Sequence, residues 1–196
     1  MDKEVLEKVK VLKEKTGAPL GKCLEALQNS NYDLEKAEEY LKKKGEALLE
    51  KKKEVKTFQG TIASYIHFNG RIASLLEFKC ETDFVAKNEE FKKLAYELAI
   101  QVAALKPLYV SLEHIPQEVL EEKRKEFLRG LEDKPKEVQD SIFQGKLEKW
   151  LEEISLLDQP YFRDETIKVR DLINSYVNKF GEKIEVGRFV RLSLDD

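Results

Sequence analysis

The sequence predicts an α+β protein in which an N-terminal three-helix unit precedes a core of a three-stranded antiparallel sheet packed with helices. Three observations predict this class. Apolar residues recur every three or four positions in the first 50 residues, which is the period of an amphipathic helix. From Thr57 they alternate instead, as in a half-buried strand, and Asn69-Gly70 supplies the turn of a hairpin. Helical periodicity then returns, and the chain ends in a further alternating stretch.

The N-terminal residues 1–50 divide into three short helices. The break between the first two is Thr16-Gly17-Ala18, and Pro19 suits the first turn of the second helix. Gln28-Asn29-Ser30-Asn31 has the composition of a turn and precedes the third helix. Three helices of this size can share only a small core. The unit is therefore expected to be a small separate domain.

The lysine-rich stretches that follow predict a solvated, mobile connection. They are Lys42-Lys43-Lys44 before Gly45, and Lys51-Lys52-Lys53. We therefore expect a linker at residues 51–56. The remaining residues, 57–196, are expected to form the core domain.

Residues 57–80 are predicted to form a long hairpin with one buried face. The residues expected on that face are Phe58, Ile62, Ile66, Phe68, Ile72, Leu76, Phe78 and Cys80. Asn88 is the expected N-cap of the next helix, and further helices are expected at 117–130, 135–157 and 166–180.

The end of the chain is predicted to add a third strand to the hairpin. Its alternating residues of one parity are Ile184, Val186, Val190, Leu192 and Leu194. Gly187 is a candidate β-bulge, because Phe189 points the other way.

Composition excludes several classes of protein. The net charge is −3, from 35 basic and 38 acidic residues, so there is no cationic excess of the kind that non-specific nucleic-acid binding requires. No apolar run approaches the ~20 residues of a membrane span, and the N-terminus lacks a secretory signal. Cys23 and Cys80 are far apart in apolar contexts, as buried thiols in a reducing compartment would be. We therefore expect a cytoplasmic protein that binds neither membrane nor nucleic acid.

Groups typical of enzyme active sites do not occur together in the sequence. The two histidines, His67 and His114, lie at metal-ligand spacing from neither a cysteine nor each other. The nine glycines form no phosphate-binding loop, and most acidic residues alternate with basic ones as on solvated helix surfaces. The sequence thus predicts no enzyme, no cofactor and no metal site.

The most informative segment is residues 80–88, where an acidic residue precedes an aromatic one between a strand and a helix. Phe84 could plug the junction between sheet and helix, with Asp83 capping a local turn. Alternatively, Phe84 is an exposed anchor on a rigidly mounted loop, as interface hot spots often are. Composition alone leaves both interpretations open, and the exposure of Phe84 distinguishes them.

Three blocks of sequence carry a resemblance to a known family. They lie at residues 9–27, at 65–88, and at 159–162 together with 181–184. The most specific is Thr82-Asp83-Phe84-Val85-Ala86-Lys87-Asn88. In order and spacing these blocks resemble the elongation factor Ts family, in the short bacterial form that has a single core repeat.

The resemblance implies a guanine-nucleotide exchange factor for translation elongation factor Tu. In that family a ubiquitin-associated-like three-helix unit docks on the nucleotide-binding domain of Tu. Asp83 and Phe84, flanked by Thr82 and Val85, would then wedge into the switch II region and disturb the Mg²⁺ site of Tu. Short members of the family act as homodimers, and the strand with Phe189 and Val190 is the expected interface.

The resemblance also implies secondary contacts with Tu. The residues at the corresponding positions are Lys13, Leu20, Ile72, Ala73 and Gln101. Leu20 replaces a methionine of the family pattern, whereas Gly21 supplies no side chain for a second methionine contact.

Two other classes of function stay open. A non-catalytic helical docking module with a scaffold core would bury Phe84. An RNA-binding factor would cluster cations near aromatic residues of the sheet, and the expected burial of Phe58, Phe68 and Phe78 argues against it.

Overall fold

The structure is a computed structural model that describes residues 3–131 and 133–195, and it confirms the predicted α+β class. The outer limits of the two predicted domains, residues 1 and 196, lie outside the described residues. The N-terminal unit consists of α1 (Lys3–Thr16), α2 (Leu20–Asn29) and α3 (Leu34–Lys51). These helices enclose a small core of their own, formed by Val9, Leu12, Ala18, Cys23, Ala26, Leu27, Ala37 and Leu41.

The core follows in chain order. Its elements are β1 (Gln59–Ile66), β2 (Ile72–Cys80), α4 (Asp83–Ala86), α5 (Glu89–Leu105), α6 (Gln117–Leu128), α7 (Lys136–Ile154), β3 (Pro160–Tyr161), β4 (Asp164–Lys168), α8 (Val169–Phe180) and β5 (Ile184–Ser193), with a short 3₁₀ turn at Leu112–His114. Strands β1, β2 and β5 form the predicted antiparallel sheet in the order β1-β2-β5. Helices α5 and α8 cover one face, where Phe78 stacks on Phe91 with ring centroids 4.6 Å apart.

The helix predicted at 166–180 begins three residues later than expected. Residues 164–168 instead form β4, which pairs with β3 in a small second sheet. The helices expected at 117–130 and 135–157 are present as α6 and α7, which pack together, with Trp150 edge-on against Phe127.

The first lysine-rich stretch lies within a helix, and the second lies at the end of that helix and just beyond it. Helix α3 continues through Lys42-Lys43-Lys44 to Lys51, because lysine favours helices and Gly45 packs closely against α8. Beyond α3, the ammonium of Lys183 donates to the carbonyl oxygens of Lys53 (3.2 Å) and Val55 (3.1 Å). These two hydrogen bonds connect the predicted linker with the residue immediately before β5.

The face of β1 that was expected to be buried is exposed. The side chains of Phe58, Ile62, Ile66 and Phe68 all face solvent, and that of Phe68 is 91% exposed. The reason is the register, which pairs Ala63 with Leu76 on the core side and Ile62 with Glu77 on the outer side. The register sets Ile66 opposite Ala73, so even positions of β1 share a face with odd positions of β2. The turn itself is closed by the amide of Gly70, which donates to the carbonyl oxygen of His67 (2.8 Å).

The predicted bulge at Gly187 is confirmed, and it reverses the faces of β5. Leu76 pairs with Phe189 and Phe78 with Val186, so β5 contains one extra residue in this interval. Val186 is therefore buried, whereas Val190 on the far side of the bulge is exposed. The prediction that Ile184, Val186, Val190, Leu192 and Leu194 share one face is wrong for this reason.

The start of β1 supplies a stability prediction. Gly60 has φ of +154°, and a Cβ there would lie 2.2 Å from the carbonyl oxygen of Phe78. We expect Gly60→Ala to lower the free energy of unfolding by about 2 kcal/mol or more, because both the backbone and the ladder must shift. Gly145→Ala is the control, because nothing lies within 4 Å of a Cβ in this exposed helix position. Urea unfolding measures both, and equal stabilities would contradict the prediction.

Candidate functional site

Residues 82–87 form a hydrogen-bonded turn between the end of β2 and the start of α5. The segment was expected to be a loop, but it contains the single helical turn α4. The amide of Ala86 donates to the carbonyl oxygen of Thr82 (3.2 Å), and that of Lys87 donates to Asp83 (3.0 Å). The side chain of Asn88 accepts from the amide of Glu90 (2.8 Å), which confirms Asn88 as the N-cap of α5. We call residues 82–87 the exchange turn, after the role that the family resemblance implies for them.

Phe84 lies on the outside of the exchange turn. Its side chain is 83% exposed, so Phe84 does not plug the junction between sheet and helix. The neighbouring Val85 does so instead, and it belongs to the main hydrophobic core. Consecutive helical residues point about 100° apart, so burying one side chain turns the next one outward. The exposure of Phe84 fits the anchor interpretation, whereas Val85 offers almost no surface for the contact that the resemblance implies.

Thr82 is bound by the carboxylate of Glu182, a residue near the end of the sequence. Its amide donates to Oε2 of Glu182 (3.0 Å), and its hydroxyl donates to Oε1 of the same carboxylate. The preceding Glu81 accepts from the ammonium of Lys52 (2.7 Å) and from the amide of Lys183. The exchange turn is therefore tied both to the end of α3 and to the segment that follows α8.

Sequence reasoning assigned no role to Glu182 or Lys52. Thr82 and Glu182 are 100 residues apart in the sequence, and no local sequence pattern predicts a contact over such a separation. The only available signal was that Gly181-Glu182-Lys183-Ile184 belongs to one of the blocks carrying the family resemblance.

Asp83 stands beside Phe84 with its carboxylate half-exposed. The ammonium of Lys87, one turn later, donates to it at 2.7 Å. This hydrogen bond and the positive charge hold the pKa of Asp83 below its ordinary value, so the group is an anion near neutral pH. The exchange turn thus presents an aromatic ring next to a negative charge.

The other candidate residues lie elsewhere. Ile72 and Ala73 are half-buried at the start of β2, roughly 26 Å of strand from Cys80 at its end. Lys13 and Leu20 are exposed on the N-terminal unit, at the end of α1 and the start of α2. The structure therefore distributes the candidates over separate surfaces and does not gather them into one site.

Gln101 has an internal role. Its side chain is fully buried, and its amide nitrogen donates to the carbonyl oxygen of Pro160 (2.9 Å) and to Gln159 (3.2 Å). Its amide oxygen accepts from the backbone of Phe162 (2.9 Å). Such a residue has no exposed surface for the partner contact that the resemblance implies, and it fixes the segment 159–162 on α5 instead.

The side of the sheet opposite α5 and α8 is an exposed aliphatic surface, here called the outer sheet face. Its members are Ile62, Ile66, Leu75, Val190, Leu192 and Leu194. At its margins lie two ion pairs, Arg188–Glu77 (2.7 Å) and Arg71–Asp195 (2.7 Å). An apolar centre with a charged rim is typical of a protein-binding surface.

Burial of the sheet's aromatic residues does not exclude RNA binding, because two of the three are not buried. Phe58 and Phe68 are exposed, although they were expected to be buried. Both lie just beyond the ends of β1, whereas the outer sheet face between them offers branched aliphatic side chains where base stacking would require aromatic rings. Its chemistry therefore favours contact with protein.

Metal-binding clusters and membrane-spanning helices are both absent from the described residues. Within residues 3–131 and 133–195, no group of three His, Cys, Asp or Glu side chains is placed to hold a metal ion. In the same part of the chain, no helix is both long and apolar enough to cross a bilayer.

The α+β fold, with an aromatic side chain exposed on a stiff turn, defines the class: a protein whose site chemistry is suited to binding another protein. The sequence model of the family described as "Elongation factor TS" matches residues 5–196. The chain is 49% identical to elongation factor Ts of Thermotoga maritima over 191 residues, which cover 97% of this chain and 96% of the relative. The chain belongs to the elongation factor Ts family and is a translation elongation factor.

Other relatives agree along nearly the whole chain. Elongation factor Ts of Methylacidiphilum infernorum is 47% identical over 188 residues, covering 96% of this chain and 94% of the relative. That of Synechococcus sp. is also 47% identical, over 192 residues, and the match covers 96% of this chain but 74% of the relative. The chain therefore corresponds in length to the shorter relatives.

Proposed function

We propose that the chain is a guanine-nucleotide exchange factor that binds translation elongation factor Tu in its GDP form and promotes release of the GDP. It performs no covalent chemistry and acts in the cytoplasm. Membership of the elongation factor Ts family supports the choice of partner. The observation that carries the proposal is the exposure of Phe84 on a turn fixed by Val85 and Glu182.

In the proposed mechanism, Phe84 inserts beside the switch II region of Tu, with Asp83 at its side. GDP is held in Tu largely by phosphate contacts and a Mg²⁺ ion. Mg²⁺ requires nearly ideal octahedral geometry, so a shift of its ligands by an ångström or two weakens the site. The phosphates then lose part of their electrostatic hold, and GDP dissociates faster. The stiffness of the exchange turn matters because a flexible loop would yield before the switch region did.

The N-terminal unit supplies a second contact in this proposal. It docks on the nucleotide-binding domain of Tu through the surface that includes Lys13 and Leu20, both of which are exposed. Residues 1–50 and 57–196 act as separate domains in this sense, joined by residues 51–56. Ile72 and Ala73 are proposed as lesser contacts of the core.

Exchange activity requires a reciprocal effect that calorimetry can test. If the chain weakens the binding of GDP to Tu, bound GDP must weaken the binding of the chain by the same factor. We therefore expect titration of the chain into nucleotide-free Tu to give a much lower Kd than titration into Tu with saturating GDP. Equal affinities would contradict exchange and favour the docking module, which has no reason to distinguish nucleotide states.

We also propose that the chain is a homodimer in which two outer sheet faces pack together. Val190 belongs to this face, as the predicted interface requires. Phe189 does not, because the bulge turns it toward the core, against which it packs. An exposed aliphatic face of a three-stranded sheet is readily covered by a second copy across a two-fold axis.

Replacing Asp83 provides a smaller test of the exchange turn. We expect Asp83→Asn to slow stimulated GDP release by at most about fivefold, because shape is retained and an exposed charge interaction is worth roughly 0.2–1 kcal/mol. Lys87→Met is the matched control, since it removes the ion pair but keeps the carboxylate. Stopped-flow measurement of fluorescent GDP release compares the two. If Lys87→Met slows release as much as Asp83→Asn, the ion pair rather than contact of the charge with Tu is responsible.

A further inference from the structure

At the crossing of α3 and α8, the two helices approach so closely that a side chain at position 45 would require groups of α8 to shift. From this geometry we infer that Gly45 and Asn178 form a fixed joint, which holds the N-terminal unit and the exchange turn in one rigid arrangement. The functional consequence of the joint rests on the proposed exchange activity. The joint itself is a property of the free protein and can be measured without Tu.

Gly45 is the first element of the joint. It lies in the interior of α3, where glycine costs about 1 kcal/mol relative to alanine, so its presence there requires a packing reason. A Cβ at this position would lie 2.6 Å from Nδ2 of Asn178 and 3.2 Å from the backbone oxygen of Asn174. The missing side chain therefore lets α3 approach the backbone of α8.

Asn178 is the second element. Its buried amide donates to the carbonyl oxygen of Leu41 in α3 (2.7 Å), across the crossing. Its backbone oxygen accepts from the ammonium of Lys22 in α2 (2.7 Å). An ion pair between Lys42 and Asp171 (2.9 Å) spans the same two helices one to two turns away. A single residue of α8 thus binds two helices of the N-terminal unit.

Contact beside the crossing is incomplete. A cavity of about 440 Å³ lies between α1, α3 and α8, lined by side chains that include Lys15, Glu38, Thr166 and Leu172. The two units therefore do not share a continuous apolar core in this region. Apart from Leu48 of α3, which packs against the main core, the contacts that set their relative orientation are the close crossing and its polar groups.

The joint continues to the exchange turn through short links. Helix α8 is capped by Gly181, whose carbonyl oxygen accepts from Lys52 (2.9 Å) just after α3. The next residue, Glu182, holds the amide of Thr82. Lys52 also pairs with Glu81, the residue immediately before the exchange turn. Displacing α3 from α8 would therefore disturb the support of the exchange turn as well.

A rigid joint changes how the two contacts with Tu combine. When the N-terminal unit docks, a fixed geometry already places Phe84 at the switch region. Less conformational entropy is then lost on binding, which is the benefit of preorganisation. With a loose joint both surfaces would still bind Tu, but the binding energy of the N-terminal unit would not help to displace the switch region. Gly45 and Asn178 are positioning residues in this account, because they act through the exchange turn.

Distance measurement between two spin labels tests the joint in the free protein. Labels are placed at Lys10→Cys in the N-terminal unit and Lys93→Cys in α5, both exposed positions, while the native Cys23 and Cys80 are buried. We expect one narrow distance distribution for the parent protein. Gly45→Leu should at least double its width, because leucine favours the helix but prevents the close crossing. Gly145→Leu, in an exposed stretch of α7, should leave it unchanged.

Asn178→Leu opens the joint by an independent route, since it removes the amide that binds Leu41 without changing α3. It should broaden the distribution as well, and it serves as the test if Gly45→Leu does not fold. A narrow distribution in folded Asn178→Leu and Gly45→Leu proteins would overturn the joint.

The functional consequence is read from GDP release at saturating Tu, expressed per folded chain as judged by thermal unfolding. We expect Gly45→Leu to lower the maximal stimulated rate about tenfold while the half-saturating concentration changes less than twofold. A broadened distribution with an unchanged maximal rate would overturn the positioning role. If the parent protein does not stimulate release at all, the proposed exchange function is wrong. The distance measurement still shows whether the joint is rigid, because it does not involve Tu.

Discussion

Phe84→Ala is expected to slow stimulated GDP release by roughly 30- to 150-fold while the protein stays folded. Burial of an aromatic side chain in a partner is worth ~2–3 kcal/mol, which corresponds to that range. The side chain is 83% exposed in the free protein, so its removal takes almost nothing from the core. Thermal unfolding should therefore be unchanged, and stopped-flow fluorescence of labelled GDP measures the loss of activity.

Phe68→Ala is the matched control for this substitution. Phe68 is also an exposed phenylalanine, but it lies at the tip of the β1–β2 hairpin. We expect Phe68→Ala to retain most of the activity. Full activity of Phe84→Ala, or equal losses in both variants, would contradict the role of Phe84 as the wedge.

Leu75→Lys is expected to convert a dimer into a monomer at micromolar concentration. Leu75 lies on β2, the central strand, between Ser64 and Val190 on the outer sheet face. A lysine there would set two like charges in the middle of an apolar interface, with no partner to neutralise them. In the monomer the same side chain faces solvent, so the fold should be unaffected. Analytical ultracentrifugation over a range of concentrations measures the change.

Leu108→Lys provides the control for the dimer. Leu108 is comparably exposed but lies after α5, away from the sheet. This variant should sediment as the parent protein does. A parent protein that stays monomeric at every concentration, or a Leu75→Lys variant that stays dimeric, would contradict the proposed interface.

Features governed by neighbouring residues were predictable from sequence. Asn88 caps α5 because its side chain reaches the amide of Glu90, two residues on. Gly70 adopts a positive φ of 68° in the hairpin turn, and Gly187 lies in the bulge, where a Cβ would meet the side chain of Lys79. The order of helices and strands follows from periodicities that extend over only a few residues.

The faces of the strands were predicted wrongly because alternation gives two faces without saying which is buried. On β1 the larger apolar residues, such as Ile62, are exposed, whereas the small Ala63 is buried beneath α5. The hairpin register contained the necessary information, since it sets Ile62 opposite the charged Glu77. An aliphatic row on the solvent side makes sense if a second copy covers it.

The candidate site was predictable only in part. The residues of the exchange turn were identified, but whether Phe84 or Val85 was buried was not, because both are apolar and adjacent. Glu182 and Lys52 were missed because their contacts depend on tertiary structure that no local pattern encodes. Gln101 illustrates the converse, since its position in the family pattern implied a partner contact, whereas the fold buries it.

The central claim is tested most directly by adding the chain in catalytic amounts to Tu loaded with fluorescent GDP, with unlabelled GDP in excess. The account predicts that one chain per many Tu molecules accelerates release of the entire labelled pool, because the chain is regenerated after each exchange. Release that is no faster than spontaneous dissociation, or that stops after one Tu per chain, would contradict the account.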